Sequence, residues 1–519
     1  MAESPYHAAR VILQAKWFAI AKIGVAVAAL WFQFVLIRNL SVADYVSFTI
    51  FTAANGLVVF ATMFGIDRVV YRFMPPLREA MRWREMLLLM AGLIGVRQLT
   101  ILLLLLLFWG AGQLILPAPI LAEVRMMSVQ YALFAVAAAF TDTFAIFCNS
   151  LGQQGRQAIL QTSMTFLRIA VIVSWLTWHG ALNAFMVADV MIVTESLLAA
   201  AMLAVLAREF LALRRKAPAA GPLAFGFTWK MLIGDSLGTQ MTYMLNLPFR
   251  GGLLKLIVGA IATPVATASF GFFQTIADRA YQFMPIFMMK GMIEPALASD
   301  FAVRGDFARI RLMVSLLIRL NFAILGLGMA VLLGCGVPLV DWMTHGRYGS
   351  ESWIAVMLLL QLGAMTLGEA LWIGLNPVGR IGPHNRIWIW VSMVCYAAIG
   401  LAAWLRNIPL LIVVSAIPYL LVFATLRWIQ REPLLLGGFG MGAIVRLAIP
   451  VAAAALAARL AFWLLVAWPV WGVLTAVACC VLVYYLVLRK TSLFYRDEVD
   501  SIATVSPRLA RMFMLISAR

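Results

Sequence analysis

The chain has 519 residues, of which 64% are hydrophobic and only 12% are charged. A soluble domain of this length keeps about a quarter of its residues charged, because its surface must interact with water. The composition therefore excludes a soluble enzyme and indicates that most of the surface faces lipid. The net charge of +18 would suggest nucleic-acid binding in a soluble protein, so its meaning depends on where the basic residues lie.

About fourteen apolar segments are long enough to cross a bilayer, since about 20 helical residues span a hydrocarbon core of about 30 Å. They predict an all-α, polytopic integral membrane protein. The stretch 248–263 either lengthens the seventh span or forms a short loop. The predicted spans are 17–37, 46–66, 87–107, 127–148, 159–178, 184–206, 229–247, 265–290, 313–333, 353–376, 387–404, 409–427, 443–463 and 470–488.

Basic residues gather in every second connecting segment. With the N-terminus inside, about 25 of the 40 Lys and Arg residues lie in cytoplasmic segments or at their edges, and roughly six lie in the opposite loops. Such an excess is typical of cytoplasmic loops, so the pattern predicts that both termini are cytoplasmic. It also explains the net charge without a nucleic-acid partner.

The sequence carries few signals for catalysis. It has no GxxxxGK[ST] phosphate-binding loop, no GxSxG motif and no CxxC pair among its five cysteines. No connecting segment is long enough to form a catalytic domain. We therefore predict no catalytic residues, no metal and no cofactor, and we expect the protein not to be an enzyme.

Several basic residues remain inside the predicted spans. Arg97, Arg168 and Arg279 each lie near the middle of a span, where a charge costs about 3 kcal/mol, so each must face a protein interior or a wet cavity. We predict that these three bind a negatively charged substrate group such as a phosphate. Lys22 and Arg319 are weaker candidates for the same role.

Polar residues accompany the three central arginines, as expected of helices that line a path or a buried seam. In the fifth span Gln161, Thr165 and Arg168 share one helix face. The alternative is an internal ion pair that only fixes helix packing. The polar companions in the third and eighth spans are Gln98, Thr100, Gln274, Thr275, Asp278 and Gln282.

Acidic residues within or near the spans either pair with these arginines or bind a coupling ion. Asp235 and Glu195 are the candidates for ion coupling, because neither has a basic residue three or four positions away.

Two segments near the front of the chain carry a family resemblance. They are Arg38-Asn39-Leu40-Ser41-Val42-Ala43-Asp44-Tyr45 and Phe64-Gly65-Ile66-Asp67-Arg68-Val69-Val70-Tyr71-Arg72-Phe73. A weaker echo, Ala268-Ser269-Phe270-Gly271-Phe272-Phe273, opens the eighth span. In these segments the chain resembles the polysaccharide and lipid-linked oligosaccharide flippases of the multidrug, oligosaccharidyl-lipid and polysaccharide export superfamily.

The resemblance implies a domain organisation. It implies two six-helix lobes, 1–216 and 217–428, related by a twofold axis along the membrane normal, with a cavity between them that holds the diphosphate and sugars. Two additional helices within 429–488 would accommodate a lipid tail, and 489–519 would form a cytoplasmic tail.

The resemblance also implies a function. It predicts an inner-membrane flippase that moves an undecaprenyl-diphosphate-linked oligosaccharide for polysaccharide biosynthesis. The expected partners are that glycan, membrane lipids, and the polymerase and export machinery of the same pathway. Two alternatives remain: a drug/cation antiporter of the same superfamily, or a membrane-embedded polymerase or acyltransferase.

Overall fold

The part of the chain that the structure describes consists almost entirely of helices and short turns. The computed structural model describes residues 24–25, 27–79, 81–115, 118–216, 237, 240–241, 243–287, 307–375, 381–429 and 441–491. No strand occurs among them. Helices are the expected form in lipid, because every backbone polar group there must be satisfied within its own segment. The predicted all-α polytopic membrane fold is confirmed.

The described residues up to Phe272 form one compact unit. This unit contains helices α1 to α10 and the first part of α11. They are α1 (Val27–Asn39), α2 (Val42–Ala61), α3 (Ile66–Glu79), α4 (Trp83–Ile115), α5 (Ala118–Met126), α6 (Ser128–Ser150), α7 (Gln154–His179), α8 (Ala184–Lys216), α9 (Tyr243–Phe249), α10 (Gly251–Ile261) and α11 (Pro264–Phe283).

The described residues from Phe273 onward form the second compact unit. It holds the rest of α11 and six further helices. They are α12 (Phe307–Thr344), α13 (Trp353–Leu375), α14 (Ile381–Trp404), α15 (Ile408–Ala424), α16 (Met441–Leu464) and α17 (Pro469–Lys490). Helices α16 and α17 pack on each other, and both contact α12. The predicted lobe boundary at 216/217 stays a prediction, since 217–236 lies outside the described residues.

Eleven described helices are long and apolar enough to cross a membrane, and each coincides with a predicted span. The remaining three predictions fall at 17–37, 229–247 and 265–290, which the described residues cover only in part. Of these, α11 is long enough, but its polar stripe makes it less apolar than the eleven. The stretch 248–263 is not a short loop: α9 and α10 are helical and meet at a bend of 47°.

Helix α3 connects α2 to α4 and is strongly amphipathic. Its apolar face packs into a core shared with α4, α6 and α8. The buried residues of that face are Ile66, Val69, Val70, Phe73, Met74 and Leu77. Burial of each such side chain away from water contributes about 1.5–3 kcal/mol, so α3 is held firmly against this unit.

The second family-like segment forms the turn between α2 and α3. Phe64 and Gly65 both have left-handed backbone conformations, with φ of 47° and 62°. The Tyr243 hydroxyl of α9 donates a hydrogen bond to Asp67 Oδ2 at 2.7 Å, just after this turn. The segment therefore has a structural role, because it forms the turn between α2 and α3 and links the start of α3 to α9.

Candidate functional site

Arg97 lies on α4 and is completely buried, with 0% of its side chain exposed. Its Nη1 donates to Thr143 Oγ1 at 2.7 Å and to the Ala139 carbonyl at 3.4 Å. Its Nη2 donates to Asp142 Oδ2 at 2.8 Å and to the Val59 carbonyl at 2.9 Å. Both terminal nitrogens of the guanidinium are therefore occupied, and Arg97 fastens α4 to α2 and α6.

Arg168 lies on α7 in a different environment. Its Nε donates to Thr194 Oγ1 at 2.9 Å, and its Nη2 pairs with Glu195 Oε1 at 2.9 Å. The guanidinium also lies 5.8 Å from the ring centre of Phe32 on α1. The Arg168 and Glu195 side chains keep 11% and 18% of their surface exposed. Among the described residues, neither Arg168 Nη1 nor Glu195 Oε2 has a hydrogen-bond partner.

Neighbouring residues connect the two ion pairs. Thr141, next to Asp142 on α6, donates its hydroxyl to the backbone carbonyl of Glu195 on α8 at 3.1 Å. A continuous polar seam thus runs from α4 through α6 and α8 to α7. We call Arg97, Asp142, Thr141, Glu195 and Arg168 the charge seam. Its two arginines and two carboxylates sum to zero formal charge.

The charge seam bears on two interpretations that the sequence left open. Arg97 and Arg168 both take part in internal ion pairs, as the packing alternative expects. Glu195, the candidate for ion coupling, has no basic neighbour three or four positions away on its own helix. Its basic partner, Arg168, lies 27 residues away in the sequence on another helix.

Arg279 and its polar companions lie on the part of α11 that belongs to the second unit. Arg279 Nη1 donates to Gln282 Oε1 at 3.4 Å, and Gln274 Nε2 donates to Asp278 Oδ1 at 2.9 Å. Both contacts join residues three or four positions apart on the same helix, as expected of the polar stripe that the sequence predicts. Arg319, on α12, is buried.

Two predicted site residues, Lys22 and Asp235, lie outside the described residues, as does the tail from 492 onward. Within the described ranges, no group of three His, Cys, Asp or Glu side chains is placed to hold a metal ion.

Sequence reasoning missed two kinds of polar residue. Thr143 and Thr194 accept hydrogen bonds from the two arginines of the charge seam, and Thr141 bonds to the Glu195 backbone. In the sequence each of the three threonines adjoins Asp142 or Glu195 within an apolar helix. The other kind is Lys255 on α10, a charged residue that is buried and has a leucine on either side in the sequence. It lies in the stretch 248–263, which the sequence assigns either to a span or to a loop.

Comparison with known proteins identifies the fold. No protein-family model matches the chain, and no curated protein matches it in sequence. The likeness that the comparisons find is one of fold, to solved structures. It is similar to the lipid II flippase MurJ in an inward closed conformation, with a TM-score of 0.60 and 12% identity, over 92% of this chain and 99% of that one. A eukaryotic MATE transporter, AtDTX14, gives a TM-score of 0.48 at 14% identity, over 80% of this chain and 95% of that one.

Proposed function

We propose that the protein is a flippase of the bacterial inner membrane, with both termini in the cytoplasm. It carries an undecaprenyl-diphosphate-linked oligosaccharide across the bilayer by alternating access, for polysaccharide biosynthesis. The observation that supports this best is Arg168, a cation in the middle of a span whose Nη1 is left available for a ligand. The likeness of the fold to a solved lipid flippase supports the same class of function.

The arginines suit a diphosphate headgroup because a guanidinium offers planar paired donors to phosphate oxygens. Their environments give them different roles in the proposal. Arg168 contacts the headgroup directly, and Arg279 remains a predicted contact for an anionic group. Arg97 and Arg319 are buried, so they act through their charge and through helix packing. Lys22 remains a predicted contact of the headgroup.

The two C-terminal helices are proposed to accommodate the polyprenyl tail. Helices α16 and α17 pack on α12 and expose large apolar side chains outward. Among these side chains are Leu456, Leu460, Trp471 and Leu482. An apolar surface of this kind is compatible with a lipid tail that stays in the hydrocarbon while its headgroup crosses.

The alternatives are less well supported. A drug/cation antiporter would use carboxylates of the path to bind its cation, whereas Asp142 and Glu195 are both engaged by arginines. A polymerase or acyltransferase would need a nucleophile or a general base, and the sequence carries none of the usual motifs. We therefore propose a carrier that forms no covalent bond with its substrate.

The test replaces Arg168 by Glu, Gln and Lys and measures polysaccharide export per molecule of protein in the membrane. Arg168→Glu should lower export by orders of magnitude, because like charges about 6 Å apart repel by a few kcal/mol at an effective dielectric of about 20. Arg168→Lys keeps the charge and should be milder. Arg125→Glu, at an exposed site on α5, is the matched control. Normal export by Arg168→Glu would contradict the proposal.

A further inference from the structure

We infer that headgroup binding is coupled to a proton through Glu195: the anionic headgroup replaces Glu195 as the partner of Arg168, and the displaced carboxylate takes up one proton. This inference rests on the proposed function and names its coupling group. The ligand class is an organic diphosphate, and the coupled ion is H⁺.

The contacts of Arg168 make such an exchange possible. Thr194 Oγ1 fixes Arg168 Nε at 2.9 Å, so the guanidinium keeps its position when its other contacts change. Its link to Glu195 is a single contact, Nη2 to Oε1 at 2.9 Å, and the pair is partly open. A diphosphate that binds the available Nη1 approaches Nη2 at the same time, because the two nitrogens share one planar group.

Arg97, the other arginine of the charge seam, differs from Arg168 because its ion pair with Asp142 leaves the guanidinium inaccessible. Its two terminal nitrogens make four hydrogen bonds, two of them to backbone carbonyls, and none of its surface is exposed. A ligand cannot reach it without separating α4 from α6. Exchange of partners is therefore specific to Arg168.

Formal charge explains why a proton follows. The pair of Arg168 and Glu195 is neutral without ligand. A bound diphosphate with two negative charges would bring the sum for Arg168, ionised Glu195 and the ligand to −2. Glu195 would then be an ionised carboxylate without its partner, within an apolar helix. A charge in that setting is strongly disfavoured, so the carboxylate protonates and the loaded site carries −1.

The other charged groups around Glu195 do not replace Arg168. Helix α6 presents Asp142, which is held by Arg97 of α4. The remaining charged groups of the packed helices lie towards the helix ends. They are Arg38 of α1, Asp44 of α2, Arg84 and Glu85 of α4, Arg156 and His179 of α7, and Asp189, Arg208, Glu209, Arg214 and Arg215 of α8 itself.

Each step of the exchange balances. On binding, the hydrogen bond from Arg168 Nη2 to Glu195 Oε1 breaks, and hydrogen bonds from Arg168 to phosphate oxygens form. A proton from the aqueous phase then forms an O–H bond on Glu195. On release of the headgroup the proton leaves, and the ion pair forms again.

The experiment uses the full chain in lipid nanodiscs and farnesyl diphosphate as the probe. Calorimetric titrations at about pH 7.5, where the phosphates are largely ionised, are run in buffers of different ionisation enthalpy to count protons. Wild type should take up about one proton for each farnesyl diphosphate bound. Its affinity for farnesyl diphosphate should therefore fall about tenfold for each unit by which the pH rises. Glu195→Gln should bind without proton uptake and with little dependence on pH. Asp189→Asn removes a carboxylate from an exposed site on the same helix and should match wild type.

A second measurement needs no variant. Ligand binding to wild type should produce the infrared difference band of a protonated carboxylic acid, which shifts in heavy water. Absence of the band, or proton uptake that persists in Glu195→Gln, overturns the inference while the proposed function stands. Failure of wild type to bind farnesyl diphosphate overturns the proposed function, and the inference with it.

Discussion

Asp44 Oδ1 accepts a hydrogen bond at 3.1 Å from the backbone N–H of Ala184, 140 residues further along the chain. Ala184 is the first residue of α8, and Asp44 lies in the first turn of α2. Asp44 Oδ2 also accepts from the hydroxyl of Ser41, the N-cap of α2, at 2.5 Å. One carboxylate therefore stabilises the N-termini of two helices, where the positive ends of the helix dipoles favour a negative charge.

Replacement of Asp44 should reduce stability without touching the charge seam. Asp44→Ala removes the acceptor for α8, and loss of such a cap costs about 1–2 kcal/mol. Asp44→Asn keeps an oxygen acceptor and should lose less. The thermal midpoint of the detergent-solubilised protein measures both, with Asp189→Asn as the control for loss of one carboxylate. An unchanged midpoint in Asp44→Ala would show that the contact adds nothing.

Arg97 and Asp142 should behave as a structural pair. Asp142→Asn leaves the fully buried Arg97 guanidinium without its ionic partner and should cost about 3 kcal/mol. Arg97→Gln leaves the Asp142 carboxylate, whose side chain keeps 39% of its surface exposed, so the loss of that partner should cost less. Arg97→Lys should also be poorly tolerated, because one ammonium cannot reproduce the bonds to Thr143, Val59 and Asp142. The amount of folded protein in the membrane is the measurement.

The control for Arg97→Lys is Arg168→Lys, because Arg168 makes two hydrogen bonds where Arg97 makes four. The double variant Arg97→Gln/Asp142→Asn should recover part of the loss, since no lone charge remains. Full additivity of the two single effects would show that the pair does not act as a unit.

Gly334 should be required for docking of the C-terminal helices. A Cβ built on Gly334 of α12 would lie 2.6 Å from the Ala458 Cβ and 2.7 Å from the Ala455 carbonyl of α16, so Gly334→Ala forces the two helices apart. Forced overpacking of this kind costs about 1–3 kcal/mol. Gly400→Ala on α14 is the matched control, because a Cβ there meets nothing within 4 Å. Thermal midpoints compare the two, and equal midpoints would contradict the close contact of α12 with α16.

The orientation in the membrane is tested by reporter fusions. Fusions after residues 80, 215 and 435 should read cytoplasmic, and fusions near 118 and 343 should read periplasmic. The physical reason is the excess of Lys and Arg in the first set of segments, which resist translocation. A periplasmic signal at 215 would overturn the division into two six-helix lobes.

The sequence by itself determined the class of protein and most of the membrane spans. Length and hydrophobicity of a segment are sufficient for this, because lipid allows only structures that satisfy their own backbone. Eleven predicted spans coincide with described helices for that reason. The segment Arg38–Tyr45 predicted the fold, and its Asp44 and Tyr45 take part in helix contacts, Asp44 with Ala184 and Tyr45 with Gln33.

Only the tertiary structure decided how Arg97 and Arg168 are paired and how far each is buried. Arg97 and Arg168 look alike in sequence, since each is a single cation in the middle of an apolar run. Their partners come from other helices, 45 and 27 residues away, so no local pattern reveals them. Packing of α4 against α2 and α6 buries the Arg97 guanidinium completely, whereas Arg168, at the contact of α7 with α8, keeps 11% of its side chain exposed. The burial of a charge depends on which helices meet around it, and contacts across a bundle set that choice.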